Sequence, residues 1–144
     1  MIAAPLPSTE TQRLAALHGT SLLDTPAEPS FDDLTRLASQ ICGTPMAVIS
    51  LVDQDRQWFK SRVGVEATET PRDIAFCAHT ILNTEVMTVD DARCDARFHD
   101  NPLVTGPMGL RFYAGAPLDI GVGEHIGALC VLDPVPRQLD DAQR

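Results

Sequence analysis

Seven residues, "MAVISLV" at positions 46–52, restrict the architecture of this chain more than any other stretch. The run is apolar apart from one serine, so it lacks the alternation of a strand with one wet face. It is far too short to cross a bilayer. A partly β-branched run of this length predicts a central strand buried on both faces. Such a strand needs cover above and below, and the flanking sequence contains elements for it.

Upstream, Thr9 and Gln12 fit a capping box, and Leu14, Leu17 and Gly19 predict a short helix with a glycine stop. Residues 1–8 read as a frayed lead-in, and "LLDTPAEPS" as a turn-rich connector. Ser30 is expected to cap a second helix, ended by Gly43 and Pro45. Its Phe31, Leu34, Leu37, Ala38 and Ile41 recur at helical spacing as one apolar face. Downstream, "DQDR" predicts a turn into "QWFKSRVG", where Trp58, Lys60 and Arg62 alternate with Phe59 and Val63 as in a half-exposed hairpin strand. "EVMTVDD" predicts a short strand, and "ARCDARFHDNPLVTGPMG" a polar, turn-rich lid with one helical turn. "RFYAGAPLDI" and "HIGALCVLD" flank the turn "GVGE" as a second hairpin, and "RQLDDAQR" reads as the first turns of a helix. Helices and an antiparallel sheet in one small domain make the fold class α+β.

A length of 144 residues suits a single domain, and 44% hydrophobic with 22% charged residues is ordinary globular composition. The net charge of −9, with Lys60 as the sole lysine, argues against nucleic-acid partners and against anionic membranes. Residues 1–8 carry two prolines and no basic segment, unlike a secretory leader, so a cytoplasmic location is expected. Cys42, Cys77, Cys94 and Cys130 form no CxxC and no zinc-like pair, which points to reduced thiols rather than a disulfide framework. "GVGE" lacks the helix and lysine of a phosphate cradle, and no GxSxG elbow occurs.

The densest cluster of reactive side chains is "TPRDIAFCAHTIL" at 70–82. Read as a helix from Pro71, it aligns Ile74, Cys77, Ala78, Ile81 and Leu82 on one apolar stripe. His79 then lies about 200° around from Cys77, which denies a thiolate–imidazolium pair. His79 shares its side with Phe76, Asn83 and Arg72, either at the edge of the core or facing a cavity. Arg111 enters a strand straight after the lid, suited to a carboxylate or phosphate or to an acidic lid residue. Tyr113 follows it and is the sole tyrosine.

Four stretches together resemble the GAF domain family: "LLDTPAEPSFDDLTRLASQICGTPMAVISLVDQDRQWFKSRVGV", "ETPRDIAFCAHTIL", "DARFHDNPLVTGPMGLRFYAGAPL" and "IGALCVLD". Their order is similar to the subgroup that precedes diguanylate cyclase, cyclic-dinucleotide phosphodiesterase or histidine kinase modules. The resemblance implies a central antiparallel sheet of five or six strands, with end helices on one face and a roofed pocket on the other. It places the domain at residues 22–133, after an N-terminal helix and lead-in at 1–21 and before the start of a truncated signalling helix at 134–144. The roof corresponds to residues 71–82 and the loop after them. Candidate pocket residues are then Arg72, Phe76, Cys77, His79, Arg111 and Tyr113, with the apolar stripe favouring Cys77 over His79 as the inward group. The implied function is non-catalytic sensing in signal transduction: an unidentified small molecule shifts two packings of helices on the sheet, and the domain forms a homodimer through its end helices. No catalytic or metal-binding residue and no cofactor is assigned.

Departures from better-understood relatives narrow the ligand. The Asn-Lys-Phe-Asp-Glu set of cyclic-nucleotide binders does not assemble here, and Cys77-Ala78-His79 replaces the Cys-His dipeptide of bilin binders. Free methionine sulfoxide reductases of this fold space their cysteines more tightly than the intervals of 17 and 36 residues between Cys77, Cys94 and Cys130. Two alternatives remain: a thiol redox enzyme using Cys77 with Cys94 or Cys130 resolving, and a haem or iron sensor using His79, His99 or His125. Arg93 and Arg97 favour a thiolate at Cys94, and Asp91 and Asp95 oppose it.

Overall fold

The 46–52 run forms the middle of a six-stranded antiparallel sheet of order β3-β2-β1-β6-β5-β4 in the computed structural model, which describes residues 2–120, 123–140 and 143. The strands are β1 (Met46–Val52), β2 (Arg56–Val63), β3 (Glu69–Pro71), β4 (Met87–Val89), β5 (Phe112–Asp119) and β6 (His125–Asp133). Every residue of β1 is buried, as its unbroken apolar pattern requires. Met46, Val48 and Val52 face a core shared with Phe76, Cys77, Phe98 and Tyr113. On the other face, Ala47 packs with Ala38 and Cys42, and Leu51 with Leu17 and Trp58. Thus α1 (Glu10–Gly19) and α2 (Pro29–Cys42) cover one face of the sheet. The other face lies under α3 (Cys77–Thr80) and the lid, which carries α4 (Pro102–Thr105).

Several local expectations are corrected. Thr9 is the N-cap of α1 but its hydroxyl bonds Glu124, so the capping box with Gln12 does not form. Helix α2 starts at Pro29, and its N-cap is Glu28, two residues ahead of Ser30. Its predicted apolar face is only partly inward. Thr35 and Cys42 are the buried residues, while Leu34, Leu37 and Ile41 are 49%, 52% and 51% exposed. Gly43 ends the helix in the left-handed region at φ 65°, as its glycine suggested.

The strand β2 is not half-exposed. A bulge opposite Ile49 and Ser50 inserts Lys60 as an extra residue, and both Trp58 and Lys60 are buried. The Lys60 ammonium is satisfied by Thr25 Oγ1 at 2.6 Å, the Pro26 carbonyl at 2.7 Å and Glu28 at 2.6 Å. A buried ammonium needs such partners, and these anchor the 25–28 connector to the sheet. The lead-in is anchored too: Ile2 N donates to the Arg97 carbonyl at 3.1 Å. Residues 134–140 form no helix, and the helix read at "RQLDDAQR" falls partly outside the described residues.

Candidate functional site

The 70–82 stretch is not one helix. Glu69–Pro71 adds an edge strand to β2, Arg72–Ile74 makes one 3₁₀ turn, and Ala75 is extended at ψ 124° before α3 begins. A continuous helix would bond the Ile74 carbonyl to the amide of residue 78. Instead that carbonyl accepts from Asn101 Nδ2 at 3.0 Å, and Ala78 N turns to the Ala75 carbonyl at 3.3 Å. The lid therefore competes for the helix's backbone partners and breaks it.

This break lays Phe76 and Cys77 against the sheet over a cavity of about 90 Å³. Its walls include Val48, Gln57, Phe59, Tyr113, Cys130 and, from the lid, Leu103, Met108 and Leu110. The opposite side of Phe76 is closed by Phe98, stacked at 3.9 Å between ring centroids and 10° between planes. Such a pair adds roughly 1 kcal/mol beyond its burial.

One wall carries a buried polar chain. Gln57 Nε2 donates to Thr70 Oγ1 at 2.7 Å, and Ser50 Oγ donates to Gln57 Oε1 at 2.9 Å. A second set of buried polar contacts centres on Cys77, whose Sγ lies 3.3 Å from both Cys130 Sγ and the Tyr113 hydroxyl. Tyr113 Oη is 2.7 Å from Thr80 Oγ1, which completes the set. The hydrogen bond from Cys130, then that from Tyr113, holds the Cys77 thiol below its ordinary range against its burial. Burial pushes Cys130 and Tyr113 well above theirs. Gly115 makes this arrangement possible, because a methyl there would overlap the Tyr113 hydroxyl.

Of the six residues read from the sequence, Phe76, Cys77 and Tyr113 line the cavity and the other three do not. Cys77, not His79, is the inward group. His79 meets the edge of Phe98 at 4.9 Å and bonds the Ile2 carbonyl at 3.1 Å, and burial holds its imidazole below the ordinary range. Arg111 donates to the Val104 and Leu110 carbonyls at 2.9 and 3.2 Å and so fastens the lid. Arg72 is turned the other way, to Glu10 of α1 and the Asp53 carbonyl. Glu10 also binds the buried Arg13, whose Nη1 donates to the Val52 carbonyl at 2.6 Å. This cluster joins α1 to the start of the cavity roof.

The sequence reading missed Ser50, Gln57 and Thr80. Ser50 did leave a signal: it is the one polar residue in the apolar run, and a buried hydroxyl needs a partner. Cys94 is exposed on the lid, whereas Cys130 is the thiol that meets Cys77. His125 Nδ1 is 3.0 Å from the Ile81 carbonyl, and among the described residues no cluster of His, Cys, Asp or Glu has metal-binding geometry. Among them, too, no helix is long and apolar enough to cross a membrane.

Comparison with known proteins places these features in context. The family model described as GAF domain matches residues 26–144. A cyclic di-GMP phosphodiesterase of Pseudomonas aeruginosa is 42% identical over 137 residues, which covers 95% of this chain and 23% of that protein. The chain thus spans under a quarter of that relative. Among solved structures, the GAF domain of an Acinetobacter phosphoenolpyruvate-protein phosphotransferase superposes with a TM-score of 0.62 at 14% identity, covering 96% of this chain and 85% of that one. A free methionine-R-sulfoxide reductase from Neisseria meningitidis, solved with its substrate, gives 0.62 at 16% identity, covering 98% and 86%. At those identities the likeness is one of fold.

Proposed function

The chain belongs to the GAF domain family, and we propose that it is a non-catalytic sensory domain regulating a cyclic di-GMP phosphodiesterase module in a longer protein. The observation that carries this reading is the cavity of about 90 Å³ roofed by Phe76 and Cys77. Ligand pockets usually run to about 300 Å³ or more, and this space equals roughly three waters. A ligand larger than that fits only by lifting the roof. Its walls suit a compact, mostly apolar molecule that offers one polar group to the Gln57 amide or to the Thr70 or Tyr113 hydroxyl. Lifting the roof strains the Arg72–Glu10 contact, so occupancy biases the seat of α1 on the sheet. The 42% identical relative, itself a cyclic di-GMP phosphodiesterase, supports the choice of output.

Native mass spectrometry of the freshly purified domain tests the ligand reading, with Val48→Phe as the comparison because Val48 faces the cavity. The wild type is expected to retain a small molecule that denaturation releases, and the variant to hold at least about tenfold less of it, a loss of about 1.4 kcal/mol. Equal retention by the two folded proteins rules the cavity out as the site. An empty wild type that also fails to take up xenon, by ¹²⁹Xe NMR, removes the ligand-sensing reading.

The homodimer through the end helices is part of the same proposal. Its support is the exposed half of the α2 stripe, where Leu34, Leu37 and Ile41 border an apolar groove of about 290 Å³ with Val86 and Leu129. Sedimentation velocity over a concentration series is expected to show self-association, and Leu37→Glu to weaken it by tenfold or more with little change in unfolding temperature. A wild type that stays monomeric at all concentrations contradicts this arrangement.

A further inference from the structure

We propose that Cys77 and Cys130 are a hydroperoxide-responsive thiol pair, oxidised reversibly to an intramolecular disulfide that ties the roof of the cavity to the sheet. The geometry is the argument. Cys77 opens α3 and Cys130 sits on β6 between its register partners Val48 and Gly115, yet their sulfurs are 3.3 Å apart. No other pair of cysteines is brought together: Cys94 is exposed on the lid, and Cys42 is buried on the opposite face of the sheet. Both sulfurs border the cavity, an apolar space that admits a small neutral oxidant more readily than a charged one. Gly115, without a side chain, leaves room for the Tyr113 hydroxyl that meets Cys77.

The chemistry balances without a metal or cofactor. Cys77 Sγ attacks one oxygen of the hydroperoxide: an S–O bond forms, the O–O bond breaks, and the departing alkoxide leaves as alcohol with the Cys77 proton. Cys130 Sγ then attacks Cys77 Sγ: the S–S bond forms, the S–O bond breaks, and hydroxide leaves as water with the Cys130 proton. Two electrons pass from the thiols to the peroxide. The Tyr113 hydroxyl donates to Cys77 Sγ and favours it as the attacking sulfur, while Cys130, whose thiol burial pushes up, is left as the resolving one. A disulfide is about 2.05 Å long. Closing the 3.3 Å contact to that length draws Cys77 toward β6 and replaces the thiol beside the Tyr113 hydroxyl with a disulfide sulfur. Oxidation therefore reshapes the cavity whether or not a ligand occupies it, and this inference stands apart from the ligand reading.

The test is peroxide treatment of the reduced domain, with hydrogen peroxide and with tert-butyl hydroperoxide. An acid quench, alkylation of the denatured chain and peptide mapping follow. The expected product is a Cys77–Cys130 disulfide with a mass loss of about 2 Da, reversed by dithiothreitol, while Cys42 and Cys94 remain alkylated. Cys130→Ser is expected to stop at a sulfenic acid on Cys77, trapped by dimedone, and Cys94→Ser to behave as wild type. Full alkylation of both Cys77 and Cys130 after oxidation overturns the proposal. So does a product confined to Cys94, or a Cys130→Ser protein that folds but yields no dimedone adduct.

Discussion

Gly127→Ala is expected to destabilise the domain by about 3 kcal/mol and to lower its unfolding temperature by roughly 10 °C. Gly127 pairs with Leu51 where β6 meets the central strand. A methyl group there would overlap the Ser50 carbonyl oxygen and come within 2.9 Å of Leu51 Cα. Those are backbone atoms of the most buried strand, so no side-chain rotation relieves the overlap, and β1 and β6 must part locally. The same residue pair sets Ser50 in place for its bond to Gln57, so the polar chain in the cavity wall is disturbed as well. Gly19→Ala is the control: nothing lies within 4 Å of the added methyl, and its expected effect is neutral to slightly stabilising. Urea and thermal unfolding of the three proteins measure the difference. A Gly127→Ala protein with unchanged midpoints would show that the strands do not approach this closely.

Removing the Glu10 carboxylate is the second large effect. Glu10 contacts Arg13, whose side chain is 1% exposed, and Arg72, whose side chain is 9% exposed. Glu10→Ala leaves Arg13 buried with the Val52 carbonyl as its one remaining side-chain hydrogen bond in this cluster. An uncompensated buried charge of this kind costs about 3 kcal/mol. Burial alone would push the Glu10 carboxyl up, but hydrogen bonds and charge from Arg13 and Arg72 outweigh it and hold the group below its ordinary value. A carboxyl depressed in the folded state contributes stability that is fully present above its unfolded value, about 4.3, and is lost as pH falls through the folded one. His79 acts in the same direction over a higher window. Burial lowers its affinity for a proton in the folded state, so stability declines as pH drops below roughly 6.5. Urea midpoints from pH 7 to pH 3 are therefore expected to fall in two stages for the wild type. In Glu10→Gln the value at pH 7 starts lower and the decline below about pH 4.3 is shallower. An unchanged slope in that lower window would show that Glu10 does not bind these arginines in solution. The effect also bears on the cavity, since Glu10 joins α1 to Arg72 at the start of the roof.

The apolar face of α2 shows how periodicity and packing part company. The spacing of Phe31, Leu34, Leu37, Ala38 and Ile41 identified a helix, and a helix is there. Periodicity reports that a stripe exists, not which part of it the sheet covers. The sheet takes the side bearing Thr35, Ala38 and Cys42, whose small side chains allow close approach, and leaves the leucines outward. Lys60 errs the other way. An alternating pattern assigns a lysine to solvent, but the bulge in β2 and the oxygens of the 25–28 connector make a buried ammonium tolerable.

What the sequence determined by itself is whatever depends on neighbours in the chain. The seven-residue apolar run is long enough to demand burial on both faces, which made the central strand and the α+β class legible. Gly43 marked a helix end because few other residues enter the left-handed region cheaply. The opposite bearings of Cys77 and His79 followed from helical geometry and hold within the single turn of α3. Only the tertiary structure decided the rest. Whether residues 72–82 stay helical depends on Asn101, which competes for the Ile74 carbonyl from 27 residues away. The meeting of Cys77 with Cys130 spans 53 residues and rests on the register of β1 against β6. The cavity itself is the gap that remains once the sheet, the broken roof and the lid have each satisfied their own backbone hydrogen bonds, and no local pattern encodes a gap.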